Sequence, residues 1–276
     1  AVQIKCAQAE YCNMPTKKSL GQHWLKDKEV LVSIASEANL QPSDVVLEIG
    51  PGLGTLTSHL LKDSERVVAV ELDADLARKL PGQFPGKNLQ VFNEDILDFD
   101  LSILPAGYKV VANVPYYITS KIIQKLMTDK NPPSVVVVLI QKEVAERLVA
   151  ADGDLSILAI SAAIFAEAKL GPVVPAAFFT PPPKVDSQVV VLTRRNKPLV
   201  SAADQADFFR VVKAGFSSKR KKIKTSLAGG LRVSKECVGK ILVAADISPD
   251  VRAENLTIQQ WIRLVDICRK ELLLKN

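Results

Sequence analysis

The sequence is 276 residues long, with 47% hydrophobic and 24% charged residues, a composition that excludes disordered and fibrous proteins. No apolar run approaches the ~18 residues that a transmembrane helix needs. The net charge of +6 is uneven, because residues 194–276 hold 18 Lys and Arg against 8 Asp and Glu, whereas residues 1–193 hold 18 against 22. The basic C-terminal part predicts contact with a polyanion.

Cysteine and histidine content limits the possible chemistry. The four cysteines show no C-x-x-C spacing, so we expect neither a disulfide framework nor a zinc site, but reduced thiols in a cytoplasmic protein. His23 and His59 are the only histidines, which argues against a zinc protease motif and a histidine-activated nucleophile. Residues 1–15 are treated as a tail. If that tail is the remnant of a targeting segment, an organelle stroma or matrix replaces the cytoplasm as the expected location.

Short apolar strands alternate with helical patterns through the first two-thirds of the chain. The strands are nearly continuous β-branched runs, as expected for a parallel sheet buried on both faces. This alternation predicts a doubly wound α/β domain. The predicted strands are 44–50, 66–72, 89–93, 109–114 and 134–140, followed by two β-like pieces around Pro181–Pro183, the second at 188–193. The predicted helices are 55–62, a stretch capped by Asp73, 120–127, 141–149 and about 155–166.

The last third of the chain has a different character. From about Pro198 every apolar pattern is helical, with apolar residues three or four apart. The predicted domains are therefore an N-terminal tail (1–15), a ligand-binding α/β domain (16–197) and a smaller all-helical domain (198–276).

A glycine-rich loop joins the first predicted strand to the next helix. Residues Glu48–Gly54 read E-x-G-x-G-x-G, and Gly50 and Gly52 permit positive φ angles and close approach of a ligand to the backbone. Glu71 ends the next strand, where doubly wound domains bind ribose hydroxyls. Asp95 ends the third strand, where it could hold the exocyclic amine of an adenine. The strict dinucleotide fingerprint G-x-G-x-x-G has its third glycine where this loop has Thr55, which favours S-adenosylmethionine but leaves NAD open.

The segment NVPYY, residues 113–117, follows the fourth predicted strand at the sheet edge where ligands bind. One substrate to consider is an adenine with a free N6 amine. That amine is a poor nucleophile because its lone pair is delocalised into the ring, so it needs acceptors for its N–H groups more than a strong base. The Asn113 side chain and the Val114 carbonyl are suitable acceptors. Pro115 fixes φ and brings no N–H, and Tyr116 can stack on a flipped base. Taken alone, the segment is equally compatible with a strand end and two packed tyrosines.

Nine segments spread over the chain form a specific combination: SLGQHWL (19–25), EIGPGLGTLT (48–57), ELD (71–73), NED (93–95), NVPYYIT (113–119), QKEVAERL (141–148), FTPPPKVDS (179–187), FSSKRKKIKTSL (216–227) and RAENLT (252–257). With them the chain resembles the small-subunit ribosomal RNA adenine N6,N6-dimethyltransferases, the kasugamycin-sensitivity family, over about residues 16–270. The resemblance implies a class I methyltransferase fold of seven strands, the last antiparallel, with a helical C-terminal domain. It also implies S-adenosylmethionine-dependent dimethylation of two adjacent adenines near the 3′ end of small-subunit rRNA.

The resemblance also implies partners and roles for particular residues. The expected partner is an immature small ribosomal subunit. The protein is expected to act as a monomer, without a bound metal and without a membrane. By motif matching, the cofactor contacts His23, Leu25, Gly50, Glu71, Asp95 and Asn113. Phe179 matches the aromatic residue that closes the second face of the target adenine, although a core position before the prolines is the alternative. The chain departs from the common pattern at Ala112 and Tyr117, and Tyr117 leaves dimethylation less secure than methylation.

A cluster of cations lies in the predicted helical domain, at Lys219, Arg220, Lys221, Lys222 and Lys224. A helix through this stretch would turn Phe216, Ile223 and Leu227 toward a core and the cations toward RNA phosphates. An ordinary solvated helix face is the alternative to RNA binding.

Three other functions remain open. One is an erythromycin-resistance-type methyltransferase acting on large-subunit rRNA. The segments TPPPKVDS and RAENLT favour the small-subunit enzyme over this alternative. Another is a non-enzymatic RNA-binding assembly or transcription factor on the same fold, which the intact Glu71, Asp95 and Asn113–Tyr116 disfavour. The last is a nicotinamide dehydrogenase, disfavoured by the missing third glycine.

Overall fold

The structure is a computed structural model that describes residues 21–150 and 153–272. The predicted tail at 1–15 and the first two residues of SLGQHWL lie outside these ranges. The described chain divides into two compact units, one comprising 21–146 and 167–194 and the other 147–150, 153–166 and 195–272. The predicted boundary at 197 and 198 lies near the last of these divisions, but nothing in the sequence pattern marked 147–166 as part of the second unit. The domain limits stay a prediction.

The first unit is built on a seven-stranded sheet with the order β4-β3-β2-β5-β6-β9-β7. The predicted strands are confirmed to within one residue at each end, and the first β-like piece before the prolines is two separate strands, β7 and β8. Two-residue strands β1 and β8 pair antiparallel in a sheet of their own. The strands are β1 Trp24–Leu25, β2 Val45–Ile49, β3 Arg66–Glu71, β4 Leu89–Asn93, β5 Lys109–Asn113, β6 Val135–Gln141, β7 Ala166–Val174, β8 Phe179–Thr180 and β9 Ser187–Arg194.

Strand direction follows the predicted doubly wound pattern. Strands β4, β3, β2, β5 and β6 pair parallel in that order, and β9 pairs antiparallel with β6. The inner strands are Val-rich and buried along their length, because helices cover both faces of a parallel sheet. All five parallel strands therefore end at one edge, and that edge carries the polar residues that the sequence singles out.

Helices of the first unit begin where side chains cap them. The Asp27 carboxylate accepts a hydrogen bond from the Val30 N–H, and Asp73 accepts one from the Asp75 N–H, as predicted for Asp73. Each cap satisfies a backbone donor that the first turn of a helix leaves without a partner. The first five helices are α1 Lys28–Ser36, α2 Thr57–Asp63, α3 Ala74–Lys79, α4 Thr119–Thr128 and α5 Lys142–Val149, and the last three residues of α5 belong to the second unit.

The second unit is helical, as predicted. Its core forms around Trp261, which is fully buried and stacks on Phe216 with ring centroids 5.7 Å apart. Glycines let the helices approach closely: a Cβ on Gly215 would lie 2.4 Å from the Trp261 ring, and one on Gly230 would lie 2.5 Å from the Ala214 Cα. The helices are α6 Ile157–Phe165, α7 Gln205–Gly215, α8 Ile223–Leu231, α9 Lys235–Ala244 and α10 Ile258–Leu272.

The cation cluster does not lie on a continuous helix, and that part of the prediction is wrong. Residues 216–222 form turns between α7 and α8, and of the five cations only Lys224 is on a helix. Tertiary hydrogen bonds fix this break, because the Ile223 N–H donates to the Val251 carbonyl and the Ser226 hydroxyl donates to the Ser218 carbonyl. Ile223 and Leu227 are buried as expected. Among the described residues no helix is both long and apolar enough to span a bilayer.

The neighbouring glycines of α8 provide a matched test of this packing. Gly229→Ala should raise the free energy of unfolding by about 1 kcal/mol, because Ala favours the helix and nothing lies within 4 Å of the new Cβ. Gly230→Ala should lower it by about 1–3 kcal/mol, because its Cβ would overlap the backbone of Ala214. Urea denaturation of both variants measures the difference, and changes of the same sign would contradict the close approach of α7 and α8.

Candidate functional site

A cleft opens at the carboxyl edge of the parallel sheet. It lies between the ends of β2, β3 and β5 and the segment 21–25 that contains β1. Because parallel strands all end at this edge, residues more than 60 positions apart in sequence meet here. Ten of the eleven residues predicted to act on the substrate or cofactor line this cleft: His23, Leu25, Gly50, Gly52, Glu71, Asp95, Asn113, Val114, Pro115 and Tyr116.

The glycine loop and Glu71 form one hydrogen-bonded unit. The Glu71 carboxylate is 6% exposed and accepts hydrogen bonds from the N–H groups of Gly52 (3.0 Å) and Asp73 (2.9 Å). A carboxylate has about four acceptor positions, so Glu71 keeps acceptor capacity for a ligand. Gly50 and Gly52 have φ angles of +65° and +56°, which L side chains rarely adopt. The loop therefore presents backbone to the cleft beside a fixed carboxylate.

Segment 21–25 forms the opposite wall of the cleft. The Trp24 ring lies against Gly52, where a Cβ would come within 2.6 Å of it. The Thr55 hydroxyl donates to the Leu25 carbonyl at 3.0 Å, and the Gln22 amide donates to the Asp73 carboxylate at 3.3 Å. These contacts hold the wall to the glycine loop and to the end of β3, and they account for glycine at position 52.

The segment NVPYY continues directly from β5 into the cleft. Asn113 is the last residue of the strand, and among the described residues its side-chain amide makes no hydrogen bond. Pro115, at φ −60°, leads into a short 3-10 turn over Tyr116–Ile118. The Tyr116 hydroxyl lies 2.6 Å from the Ser187 hydroxyl, and its ring stacks on the His23 ring with centroids 6.1 Å apart. Tyr116 therefore presents a ring of fixed orientation beside an amide that is available to a ligand.

Phe179 does not lie where it was predicted. Its ring is 3% exposed, belongs to the apolar core with Leu25 and Leu31, and is not part of the cleft lining. The pairing of β8 with β1 places Phe179 opposite Leu25. The alternative of a core position before the prolines matches this placement, and a catalytic role for Phe179 stays a prediction.

Glu48 and Trp24 line the cleft, although the sequence pattern predicts no role for either. Glu48 is 1% exposed on β2, and its Oε2 has no hydrogen-bond partner among the described residues. The buried indole N–H of Trp24 also has none there. A carboxylate inside a strand buried on both faces is the signal that marks Glu48. The position of Trp24 depends on tertiary packing, for which the sequence has no local signal.

These observations fit the chemical groups of S-adenosylmethionine. Glu71 can accept from ribose hydroxyls, and Asp95, whose Oδ1 is fixed by the Leu97 N–H at 2.9 Å, lies where an adenine amine can be held. The Glu48 carboxyl suits a cation, and the Trp24 N–H suits an acceptor. The glycine backbone leaves the space that a side chain would fill.

Burial dominates the electrostatics of the cleft. It raises the pKa of Glu48 to about 8, with Thr57 lowering that pKa in part and the Glu71 carboxylate raising it further. Burial also raises the pKa of Glu71, although the N–H groups of Asp73 and Gly52 oppose the shift. Burial raises the pKa of the Tyr116 hydroxyl, so that it stays neutral. Burial therefore favours the neutral forms of these three groups.

Comparison with known proteins settles the family. The family described as "Ribosomal RNA adenine dimethylase" matches residues 13–270. The chain belongs to the ribosomal RNA adenine dimethylase family. It is 40% identical over 255 residues to a "Ribosomal RNA small subunit methyltransferase A" of Dehalococcoides mccartyi (strain CBDB1), a match that covers 91% of this chain and 88% of that one.

Two solved structures extend the likeness to the fold. A dimethyladenosine transferase from Plasmodium falciparum superposes with a TM-score of 0.77 at 27% identity, covering 90% of this chain and 98% of the other. The 23S rRNA methyltransferase ErmE superposes with a TM-score of 0.72 at 29% identity, covering 88% and 98%. The expected class I methyltransferase fold of the dimethylase family is confirmed.

The buried carboxyl of Glu48 predicts a pH dependence of stability. Its folded pKa of about 8 lies above the ordinary value of 4.5, so between these pH values the folded protein keeps a proton that the unfolded chain has released. The free energy of unfolding should therefore fall as pH rises through this window, by at most about 1.4 kcal/mol per pH unit from this group. Glu48→Gln should flatten the slope between pH 5.5 and 7.5, with Glu71 contributing to what remains.

Urea denaturation across that pH range tests the prediction. Glu65→Gln is the matched control, because Glu65 is an exposed carboxylate and its loss should leave the slope unchanged. Equal slopes for the wild-type protein and Glu48→Gln would show that Glu48 is ionised in the folded state at neutral pH.

Proposed function

We propose that this protein transfers methyl groups from S-adenosylmethionine to N6 of two adjacent adenines near the 3′ end of small-subunit rRNA. The observation that carries the proposal is the placement of Asn113 and Tyr116 beside the glycine loop and Glu71, in a chain of the dimethylase family. The choice of the small subunit rests on TPPPKVDS and RAENLT, and it is supported by the names of the curated relatives. The chain is also similar to ErmE, so methylation of large-subunit rRNA is the alternative that the experiment must exclude.

The adenine would be held by the Tyr116 ring. A base must leave its stack before its amine can enter a cleft, and an aromatic ring replaces part of the stacking that is lost. The hydrogen bond to Ser187 fixes the ring before the base arrives. Less conformational freedom is then lost on binding, which strengthens the interaction.

The amine would be oriented by Asn113 and Val114. Their side-chain and backbone oxygens accept one N–H each, which draws the nitrogen lone pair out of conjugation with the ring and directs it into the cleft. The bound cofactor supplies an electrophilic methyl group on a cationic sulfur. The nitrogen–carbon bond would form as the sulfur–methyl bond breaks, with the electron pair of that bond passing to the sulfur. The amine would release one proton to water, so that no strong base is required.

The cofactor would be held by the opposite side of the cleft. Glu71 would accept from the ribose hydroxyls and Asp95 from the adenine amine, while Glu48 would face a positively charged group. A cation beside Glu48 lowers the cost of ionising that buried carboxyl. The same residues therefore favour a cationic cofactor over a neutral one.

The reaction itself is tested with labelled cofactor. The protein would be incubated with unmethylated small subunits and, separately, with isolated large-subunit rRNA, and the labelled nucleotides would be mapped. Label on two adjacent adenines of the small-subunit RNA is the expected result. Label on the large-subunit RNA alone would overturn the choice of substrate, and no label with failure to bind S-adenosylmethionine in calorimetry would overturn the enzymatic proposal.

Asn113→Ala should lower the rate of methyl transfer on the order of 10²-fold or more, because it removes one of two acceptors that orient the amine. RNA binding should remain within about twofold, since binding to phosphates does not depend on this side chain. Single-turnover kinetics and an RNA-binding titration measure the two effects. Asn88→Ala, at an exposed amide outside the cleft, is the control. Equal loss of both functions would assign Asn113 a structural role.

We propose that the cation cluster of the second unit contacts RNA phosphates. Lys219, Arg220 and Lys221 are exposed and form no ion pair with any described residue. Lys222 differs, because its ammonium group lies 2.6 Å from the Asp250 carboxylate and lowers the pKa of that carboxyl. The first three cations should therefore dominate the electrostatic part of RNA binding.

Replacing Lys219, Arg220 and Lys221 together with Ala should weaken RNA binding and reduce the slope of log K against log salt by about 2–3, the value for three lost phosphate contacts. Titrations at several salt concentrations give the slope. Arg78→Ala serves as control, because Arg78 is an exposed cation of the first unit that is paired with Asp75. An unchanged slope in the triple variant would remove the cluster from the RNA interface.

The expected compartment follows from the substrate. Small subunits are assembled in the cytoplasm or in the stroma or matrix of an organelle, and we propose that the protein works in one of these. Within the part of the chain that the structure describes, Cys237 and Cys268 are free thiols, as such a reducing compartment allows.

A further inference from the structure

Tyr117 is the exposed aromatic residue at the rim of the cleft. Its side chain is 60% exposed, whereas the neighbouring Tyr116 is half-buried and bonded to Ser187. Single exposed apolar residues are common on protein surfaces, so exposure alone assigns no role. The position is informative, because Tyr117 lines the same cleft as Asn113 and Tyr116 and follows Tyr116 directly in the chain.

The Tyr117 ring lies beside Gly21 at the rim of the cleft. A Cβ on Gly21 would lie 3.5 Å from both Cδ1 and Cε1 of the ring and 4.0 Å from the Pro115 Cβ. One edge of the ring therefore faces the side of Gly21 that carries no side chain, while most of the ring faces solvent. The preceding proline and the 3-10 turn Tyr116–Ile118 fix the direction of the backbone. A ring so supported loses little freedom when a planar partner stacks on it.

Removing a base from its stack changes its neighbour as well. When one adenine enters the cleft, the adjacent nucleotide loses a stacking partner and exposes one face of its base. An aromatic ring at the cleft rim can cover that face, and aromatic stacking of a base is worth about 1–3 kcal/mol. Consecutive residues on one turn are suited to this task, since Tyr116 lies inside the cleft and Tyr117 at its edge.

We propose that Tyr117 stacks on the nucleotide adjacent to the adenine held by Tyr116, and that it positions two consecutive bases of the RNA. The inference rests on the proposed function and adds a determinant of RNA specificity to it. Where the substrate has two adjacent adenines, the base on Tyr117 is the other adenine of the pair. Tyr117 is a positioning residue in this scheme and takes no part in the transfer of the methyl group.

Steady-state kinetics with unmethylated small subunits test the role of the ring. Tyr117→Ala should lower kcat/KM about 5- to 100-fold, chiefly through KM, as the loss of one stacking contact predicts. Tyr117→Phe should stay within twofold of wild type. Tyr117→Leu, which keeps an apolar side chain without a ring, should resemble Tyr117→Ala. Affinity for S-adenosylmethionine should be the same in all three variants.

Ile103→Ala is the matched control. Ile103 is 50% exposed and precedes β5, so it lies at the amino edge of the sheet, away from the cleft. Its loss should leave kcat and KM unchanged. A value of kcat/KM within twofold of wild type for Tyr117→Ala would overturn the proposal, and retention of activity by Tyr117→Leu would show an apolar contact in place of stacking.

A second measurement does not depend on methylation. A synthetic RNA hairpin would carry the target adenine next to 2-aminopurine, whose fluorescence falls when an aromatic ring stacks on it. Wild type and Tyr117→Phe should quench this fluorescence, and Tyr117→Leu and Tyr117→Ala should not. Equal quenching by all four proteins, or none by wild type, would overturn the inference. Failure of the proposed function is separate, because it would appear as wild-type protein that binds RNA but labels no adenine.

Discussion

Parallel pairing of β4, β3, β2, β5 and β6 is the constraint on which the site depends. Neighbouring strands are held in a fixed register, with Ile49 opposite Val70, Glu71 opposite Asn93 and Asn113 opposite Leu139. Because the strands run in one direction, their polar last residues meet at one edge. The Gly50 N–H extends this pairing by donating to the Val70 carbonyl at 2.9 Å. Any slip in register would move Glu71 away from Gly52 and open the loop that they form.

This arrangement buries two carboxyl groups, which lowers the free energy of unfolding. Glu48 and Glu71 lie in a setting that raises both pKa values, because burial disfavours negative charge. Glu71 is stabilised by two backbone N–H groups, whereas Glu48 keeps one oxygen without a partner among the described residues. A functional site with this pattern is less stable without ligand than an apolar packing of the same strands would be. A cationic ligand would offset that cost.

Local sequence patterns predicted what is decided locally, and tertiary pairing decided the rest. Apolar runs predicted β2 to β6 and β9 to within one residue at each end. Polar residues at strand ends predicted Glu71, Asp95 and Asn113 at the cleft, whereas His23 and Leu25 were predicted only through the resemblance to the dimethyltransferase family. Phe178 and Phe179 are adjacent, and which of them is buried depends on the ladder between β8 and β1, which joins residues about 155 positions apart. The composition of residues 216–222 allows a helix, but the bond from the Ile223 N–H to the Val251 carbonyl starts the helix later. Neither tertiary bond has a local signal in the sequence.

The motifs of the first unit therefore divide into two kinds. The ends of β2, β3 and β5 supply groups that can contact ligands. Segments 21–25 and 179–187 instead hold one another and Tyr116 in place. The Nδ1–H of His23 donates to the Pro181 carbonyl at 2.7 Å, Leu25 pairs with Phe179, and Ser187 bonds to Tyr116. Residues 179–187 thus act on the cleft through His23 and Tyr116, and the buried Phe179 contributes by pairing β8, which leads directly into Pro181, with β1.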